Sequence, residues 1–149
     1  MRVRKALHAL GFRYRLHDCK LPGNPDIVLP KYRAVIFVHG CFWHGHHCHL
    51  FKIPKTRTEF WMTKIDGNVQ RDVIARKQLL DTNWRVAIVW GCALQGRKKY
   101  QVDALISELG MWLISGQSNT LELNPNYPLG DSSPTPPPTP PLKGVEYGF

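Results

Sequence analysis

The sequence predicts an α/β fold, a small sandwich of helices around a mixed central sheet. Two observations carry that expectation. Residues 33–38 (RAVIFV) and 84–90 (WRVAIVW) are nearly continuous apolar runs rich in Val and Ile, the pattern of strands buried on both faces. Around them the segments read in the order α-β-β-β-α-β-α, which suits helices packed on a sheet that mixes hairpin and crossover connections.

Residues 2–10 read as a short helix: Val3, Ala6, Leu7 and Leu10 recur at helical spacing, and Gly11 is a stop. Phe12, Tyr14 and Leu16 alternate with Arg13, Arg15 and His17, which predicts a half-buried strand. Leu21-Pro22-Gly23-Asn24-Pro25 is a turn, after which Asp26 opens a second strand, Ile27-Val28-Leu29, ended by Pro30. The run from Arg33 is the third, central strand. Residues 39–57 read as irregular and rich in metal-ligand side chains. Thr58 is a candidate cap for a helix through Ile65, and Asp66-Gly67-Asn68 is expected to break it. A second amphipathic helix follows over residues 69–80, with Val69, Val73, Leu79 and Leu80 facing inward. The second apolar run is another buried strand, and residues 102–114 form a last helix. From Gly116 the character changes. Eight of the twelve prolines lie between Asn124 and Leu142, which predicts an extended or disordered tail over 116–149.

The 149 residues suffice for one domain with a sizeable core. No apolar run approaches the roughly 20 residues of a membrane span, and no apolar h-region follows the basic N-terminus. The expected compartment is the cytoplasm. The formal net charge is +9, and residues 1–33 hold eight Lys/Arg against Asp18 and Asp26 alone. A basic face of this kind attracts a polyanion by steering and counterion release; the competing reading is a solvated positive surface.

Four cysteines accompany seven histidines, five of which lie between 39 and 49. With nothing pointing to export, metal binding is favoured over disulfides. Cys41, His46 and Cys48 can wrap one zinc ion from a single loop, and Cys92, just beyond a strand end, can supply a remote fourth ligand. His44, His47 and His49 are rival ligands, and a His-rich surface loop with buried thiols is the plain alternative. Cys19 is left over and reads as a small core residue. A phosphodiesterase needs a carboxylate for Mg2+. Asp26, at the start of a strand in a basic, acid-poor region, is a candidate, although an Asp after proline is also a common turn residue. His39 and His44 can act as acid and base because imidazole titrates near neutrality. Asp72 is a candidate to orient one of them.

These residues match a known family. The strings Leu21-Pro22-Gly23-Asn24-Pro25-Asp26 and Tyr32-Arg33-Ala34-Val35-Ile36-Phe37-Val38-His39-Gly40-Cys41-Phe42-Trp43-His44 closely resemble the very short patch repair (Vsr) DNA mismatch endonucleases. The likeness continues through Cys48, Leu50-Phe51-Lys52, Pro54 and Thr56-Arg57-Thr58-Glu59-Phe60-Trp61. It resumes at Trp84-Arg85-Val86 and Val89-Trp90-Gly91-Cys92-Ala93-Leu94, covering about residues 2–97. The resemblance implies a fold related to type II restriction endonucleases (PD-(D/E)xK-related). It implies Mg2+-dependent nicking 5′ to the thymine of a T·G mismatch left by deamination of 5-methylcytosine. Asp26 and the backbone carbonyl of Val38 would hold Mg2+, and His39 and His44 would assist, with Asp72 orienting His44. Cys41, His46, Cys48 and Cys92 would hold structural zinc. Phe42, Trp43 and Trp61 would form an aromatic wedge entering the stack beside the mismatch; the competing reading is three core aromatics. The partner implied is double-stranded DNA carrying the mismatch, bound by a monomer without a membrane, with mismatch-repair proteins as further partners.

Two departures accompany the likeness. Gly91 stands where relatives tend to carry an acid. No counterpart of the family's DNA-gripping N-terminal arm precedes the segment that begins at Arg2, so the expected organisation is an endonuclease domain over 1–115 without its arm, then the tail over 116–149. The alternatives kept are a zinc-containing DNA-binding homologue of weak or absent activity, and a nuclease of this fold with another DNA target.

Overall fold

In the computed structural model, which describes residues 2–46, 48, 52–95, 99–116 and 118–125, the apolar runs become the middle of one five-stranded mixed sheet. Its strands are β1 (Arg15–Leu16), β2 (Ile27–Leu29), β3 (Ala34–His39), β4 (Arg85–Trp90) and β5 (Thr120–Leu123), in that spatial order. β2 pairs antiparallel with both β1 and β3, as short connections allow. β3 and β4 pair parallel, Val38 opposite Val89 and His39 opposite Trp90, and β4 and β5 pair parallel. The parallel pairs need long crossovers, supplied by α2 (Thr58–Asp81) and α4 (Val102–Ser115); α1 (Arg2–Ala9) and the single turn α3 (Gly91–Leu94) complete the helices.

Alternation along the strands sorts the core into two layers. Ile27, Leu29, Ile36, Ala87 and Val89 meet Val3 and Leu7 of α1 and Leu105, Leu109 and Leu113 of α4. On the opposite face Val28, Val35, Phe37, Val86 and Ile88 meet Leu79 of α2, and the same cluster runs on into Trp90, Cys41 and Cys92. Burying each large aliphatic side chain contributes about 1.5–3 kcal/mol. The second layer therefore anchors the Cys/His loop directly to the sheet.

Four local expectations are corrected. The two helices expected either side of Asp66-Gly67-Asn68 are one continuous helix of 24 residues. A helical glycine costs only about 1 kcal/mol, less than burying Ile65, Ala75 and Leu79 on one continuous helix returns. Thr58 does not cap that helix by accepting a helical N–H. Arg57 holds the cap position with φ 54, and the Thr58 hydroxyl donates to the Pro54 carbonyl at 2.9 Å. The strand expected from Phe12 shrinks to two residues at the edge of the sheet; Phe12 is buried, but Leu16 is 39 % exposed. Finally, the sheet extends past the boundary expected at 116: Thr120–Leu123 pairs with β4, and Leu123 is buried. The Pro-rich segment from 126 onward lies outside the described residues.

The end of α4 is tied to β4 by Arg85. Its guanidinium donates to the carbonyls of Leu113 (3.0 Å), Trp112 and Ser118 (3.2 Å) and lies 4.3 Å above the Trp112 ring. It satisfies last-turn carbonyls that have no helical partner. Among the described residues no helix is long and apolar enough to cross a membrane.

Candidate active site and metal centre

The site gathers at the end of β3, where the chain leaves the sheet. Asp26 enters β2 beside that end because β2 and β3 run antiparallel, and its Oδ2 accepts the Val38 N–H at 2.7 Å. A residue's N–H and C=O leave an extended strand on the same edge, so the Val38 carbonyl opens toward Asp26. The other carboxylate oxygen lies 3.8 Å from Nδ1 of the exposed His17. The preceding turn is pressed against the core. Gly23 has φ 77, and a Cβ there would come within 2.8 Å of the Ala75 Cβ.

Next along β3, His39 is buried and stacks on His44, with ring centroids 3.9 Å apart at 6°. His44 Nδ1 lies 2.5 Å from Asp72 Oδ2 on α2. Asn68, one turn before Asp72, donates to the Trp43 carbonyl at 2.9 Å. Two side chains at i, i+4 on one helix face thus clamp the consecutive residues Trp43 and His44. Burial, then the charge of His44, lowers the His39 pKa to about 3, so its ring is neutral at neutral pH. Among the described residues, His39 Nδ1 is a buried polar atom without a hydrogen-bond partner.

On the far side of His39 and Trp90 lies the second cluster. The ligand atoms of Cys41, His46, Cys48 and Cys92 all lie within 4.8 Å of one another. A tight turn closed by His46 N–H on the Cys41 carbonyl (2.9 Å) folds the loop back, and Cys92, in α3 directly after β4, meets it. Cys92 Sγ is 3.6 Å from His46 Nδ1. A hydrogen bond from Cys92 lowers the Cys41 thiol to about 4, whereas that same bond, with burial, pushes the Cys92 thiol upward. Three sulfurs this close cannot all be anionic unaided. Three thiols and an imidazole suit a soft or borderline cation with tetrahedral preference, so the residues present fit a metal ion. His44 belongs to the Asp72 pair instead; His47 and His49 lie outside the described residues. Gly91 opens α3, and a Cβ there would make ordinary contact with Cys41 Sγ at 3.7 Å. Cys19 is exposed, correcting the expected core position. It sits in the turn that Asp18 Oδ1 organises by accepting the Lys20 N–H, away from both core layers.

The three candidate wedge aromatics form one group. Phe42, Trp43 and Trp61 have ring centroids 5.1–5.7 Å apart, and Trp43 is 46 % exposed. None of them belongs to either core cluster. Phe60, equally exposed, extends the group through Trp61 at 5.2 Å, with Arg57 lying over its ring at 4.3 Å. Sequence reasoning singled out neither Phe60 nor Trp90, Glu122 and Asn124. Trp90 packs against three histidines (His39, His44 and His46), and its indole N–H donates to Glu122 Oε1 at 2.6 Å. A tryptophan ending an apolar run reads as core, and β5 carried no strand signal of its own.

An acid, a histidine–aspartate pair and a group of aromatics lie beside a thiol cluster on a mixed α/β sheet, in a chain of net charge +9, an arrangement that suits an enzyme acting on a polyanion. Comparison with known proteins gives the class, a DNA endonuclease. The family profile of DNA mismatch endonuclease Vsr matches residues 1–50. The DNA mismatch endonuclease Vsr of Escherichia coli (strain K12) is 52% identical over 112 residues, 75% of this chain and 72% of that protein. Type II nicking enzyme V.XorIIP of Xanthomonas oryzae pv. oryzae is 52% identical over 92 residues, 62% of this chain and 68% of its own. Type II nicking enzyme V.NmeAIP of Neisseria meningitidis serogroup A is 43% identical over 109 residues, 72% of this chain and 78% of its own. The chain belongs to the Vsr family of DNA mismatch endonucleases.

Proposed function

We propose that this chain is a mismatch-directed DNA nickase that hydrolyses one phosphodiester bond 5′ to the thymine of a T·G mismatch formed by deamination of 5-methylcytosine. The single observation that supports it best is the convergence of Asp26, His39 and the His44–Asp72 pair at one strand end, in a member of this family. The reading includes a restriction-endonuclease-related fold and a monomer working in the cytoplasm on double-stranded DNA, with mismatch-repair proteins as candidate partners.

Asp26 and the Val38 carbonyl offer the hard oxygen donors that Mg2+ takes. Bound there, Mg2+ would neutralise phosphate charge and acidify water. The protein's own part is positional and protonic. Asp72 accepts the Nδ1–H of His44, which fixes the tautomer and leaves Nε2 as the atom that takes or returns a proton. His39, held neutral, contributes a hydrogen bond and a flat surface that stops the His44 ring from turning. The Phe42–Trp43–Trp61 group enters the base stack, where aromatic contact is worth about 1–3 kcal/mol per base. Cys41, His46, Cys48 and Cys92 hold structural Zn2+, which fixes the loop carrying wedge and histidines.

The decisive assay is nicking of a T·G duplex in Mg2+ by the unsubstituted chain and by Asp26→Ala. Cleavage by the first only is expected. No Asp26-dependent nick would leave a DNA-binding homologue without catalysis, and equal cleavage of matched duplex would mean another DNA target. For the second metal, elemental analysis should find about one zinc per chain, and Cys41→Ser or Cys92→Ser should abolish folding. A stably folded, metal-free protein contradicts the zinc assignment.

A further inference from the structure

His46 is the single nitrogen donor among the four clustered ligands, and it is held on three sides. Its ring stacks on Trp90 at 4.2 Å and 10°, Nδ1 faces Cys92 Sγ at 3.6 Å, and Nε2 lies 2.9 Å from Nδ2 of Asn124. Asn124, immediately after β5, is only 6 % exposed, and its backbone carbonyl accepts the Tyr100 hydroxyl at 2.6 Å. Glu122, also on β5, accepts the indole N–H of Trp90. Glu122 of the edge strand and Asn124 just beyond its end therefore reach the same histidine, Asn124 directly and Glu122 through its stacking partner.

An imidazole that coordinates through Nδ1 keeps its proton on Nε2, which then needs an acceptor. An imidazole without metal that turns Nδ1–H toward a thiolate needs a donor at Nε2 instead. A primary amide meets both needs, because a half-turn about its last bond exchanges oxygen and nitrogen in nearly the same place.

We propose that Asn124 is the positioning residue of the metal centre. With metal bound, its Oδ1 accepts His46 Nε2–H; without metal, its Nδ2–H donates to Nε2. The metal centre thus draws in the segment that follows the last strand of the sheet, which carries none of the four ligands. This rests on the zinc assignment proposed above.

The test uses the full chain titrated with zinc. In the loaded, unsubstituted protein, long-range ¹⁵N–¹H correlation should show His46 coordinated through Nδ1, with a slowly exchanging proton on Nε2. Asn124→Leu should bind zinc about ten- to a hundredfold more weakly in chelator competition and lose that slow proton. Asn124→Asp, which keeps an acceptor, should retain both. Failure of the unsubstituted chain to take up zinc overturns the metal assignment, and this inference with it. Zinc uptake with His46 coordinated through Nε2, or with an Nε2 proton that exchanges freely, overturns the role of Asn124 alone. So does native zinc affinity in Asn124→Leu, or equal loss in Asn124→Asp. The tautomer measurement on the unsubstituted chain decides even if the leucine variant does not fold.

Discussion

Burial sets the two stacked histidines apart. His39 stays neutral down to about pH 3 in the fold, whereas an unfolded chain protonates it near 6.5. Between those values the unfolded state binds the extra proton, so stability is lost as the pH falls from about 6.5 toward 3, by up to about 1.4 kcal/mol per pH unit. Denaturant melts at pH 7 and pH 5 should show this loss, and His39→Gln should reduce it. An unchanged slope in the variant would mean that His39 is not the group responsible. His44 is the contrasting case. Asp72→Asn removes the charged acceptor of Nδ1–H, so kcat should fall about a hundredfold or more while DNA affinity holds; a fall in affinity alone would make Asp72 merely structural. Spacing and residue type made much of this set legible in the sequence. Cys41, His46 and Cys48 lie in one loop, Cys92 follows a strand, and all four meet. Asn124 was not legible: a lone asparagine before a Pro-rich stretch has no periodic neighbours, and its value lies in what the sheet brings beside it. Cys19 was misread for a related reason, since a single thiol's burial depends on packing that no local pattern encodes.

At the scale of elements, the strands that were read well are those whose burial on both faces leaves a continuous apolar string. β5 has four residues, of which only Leu123 is buried, so it left no such trace. α2 was misread because a Gly-centred break signal is local, whereas the packing that overrides it involves the whole rod. Gly67 lies inside this helix with no left-handed φ, and a Cβ there meets nothing closer than Arg71 at 3.4 Å. Gly67→Ala should therefore stabilise the protein by about 0.5–1 kcal/mol in thermal melts. Gly23 is the opposite case. Its positive φ and the approach of Ala75 predict that Gly23→Ala destabilises by about 1–3 kcal/mol. On the proposed reading that substitution should also weaken nicking in Mg2+, because the turn sets where Asp26 begins.

For the whole molecule, the surplus of positive charge sets the terms of DNA binding. Arg13, Arg15, Lys20 and Lys31 are all exposed, so affinity should fall steeply and linearly on a logarithmic salt axis. Arg13→Ala and Arg15→Ala should each lower the slope by about 1 wherever the side chain meets a phosphate, with little change in preference between duplexes. A salt-independent affinity would remove the electrostatic account.

The clamp between the Cys/His loop and α2 has a consequence for selectivity. Trp43 accepts a hydrogen bond from Asn68 and packs on Trp61, His44 pairs with Asp72, and one continuous helix carries all three partners. Rings mounted in this way would, on the proposed reading, present the same shape to every duplex. On the proposed reading, the work of parting a base step then falls on the DNA, and discrimination becomes a property of substrate deformability. The enzyme would act as a stiff gauge, and the ease with which a given step opens around it would decide whether a strand is cut.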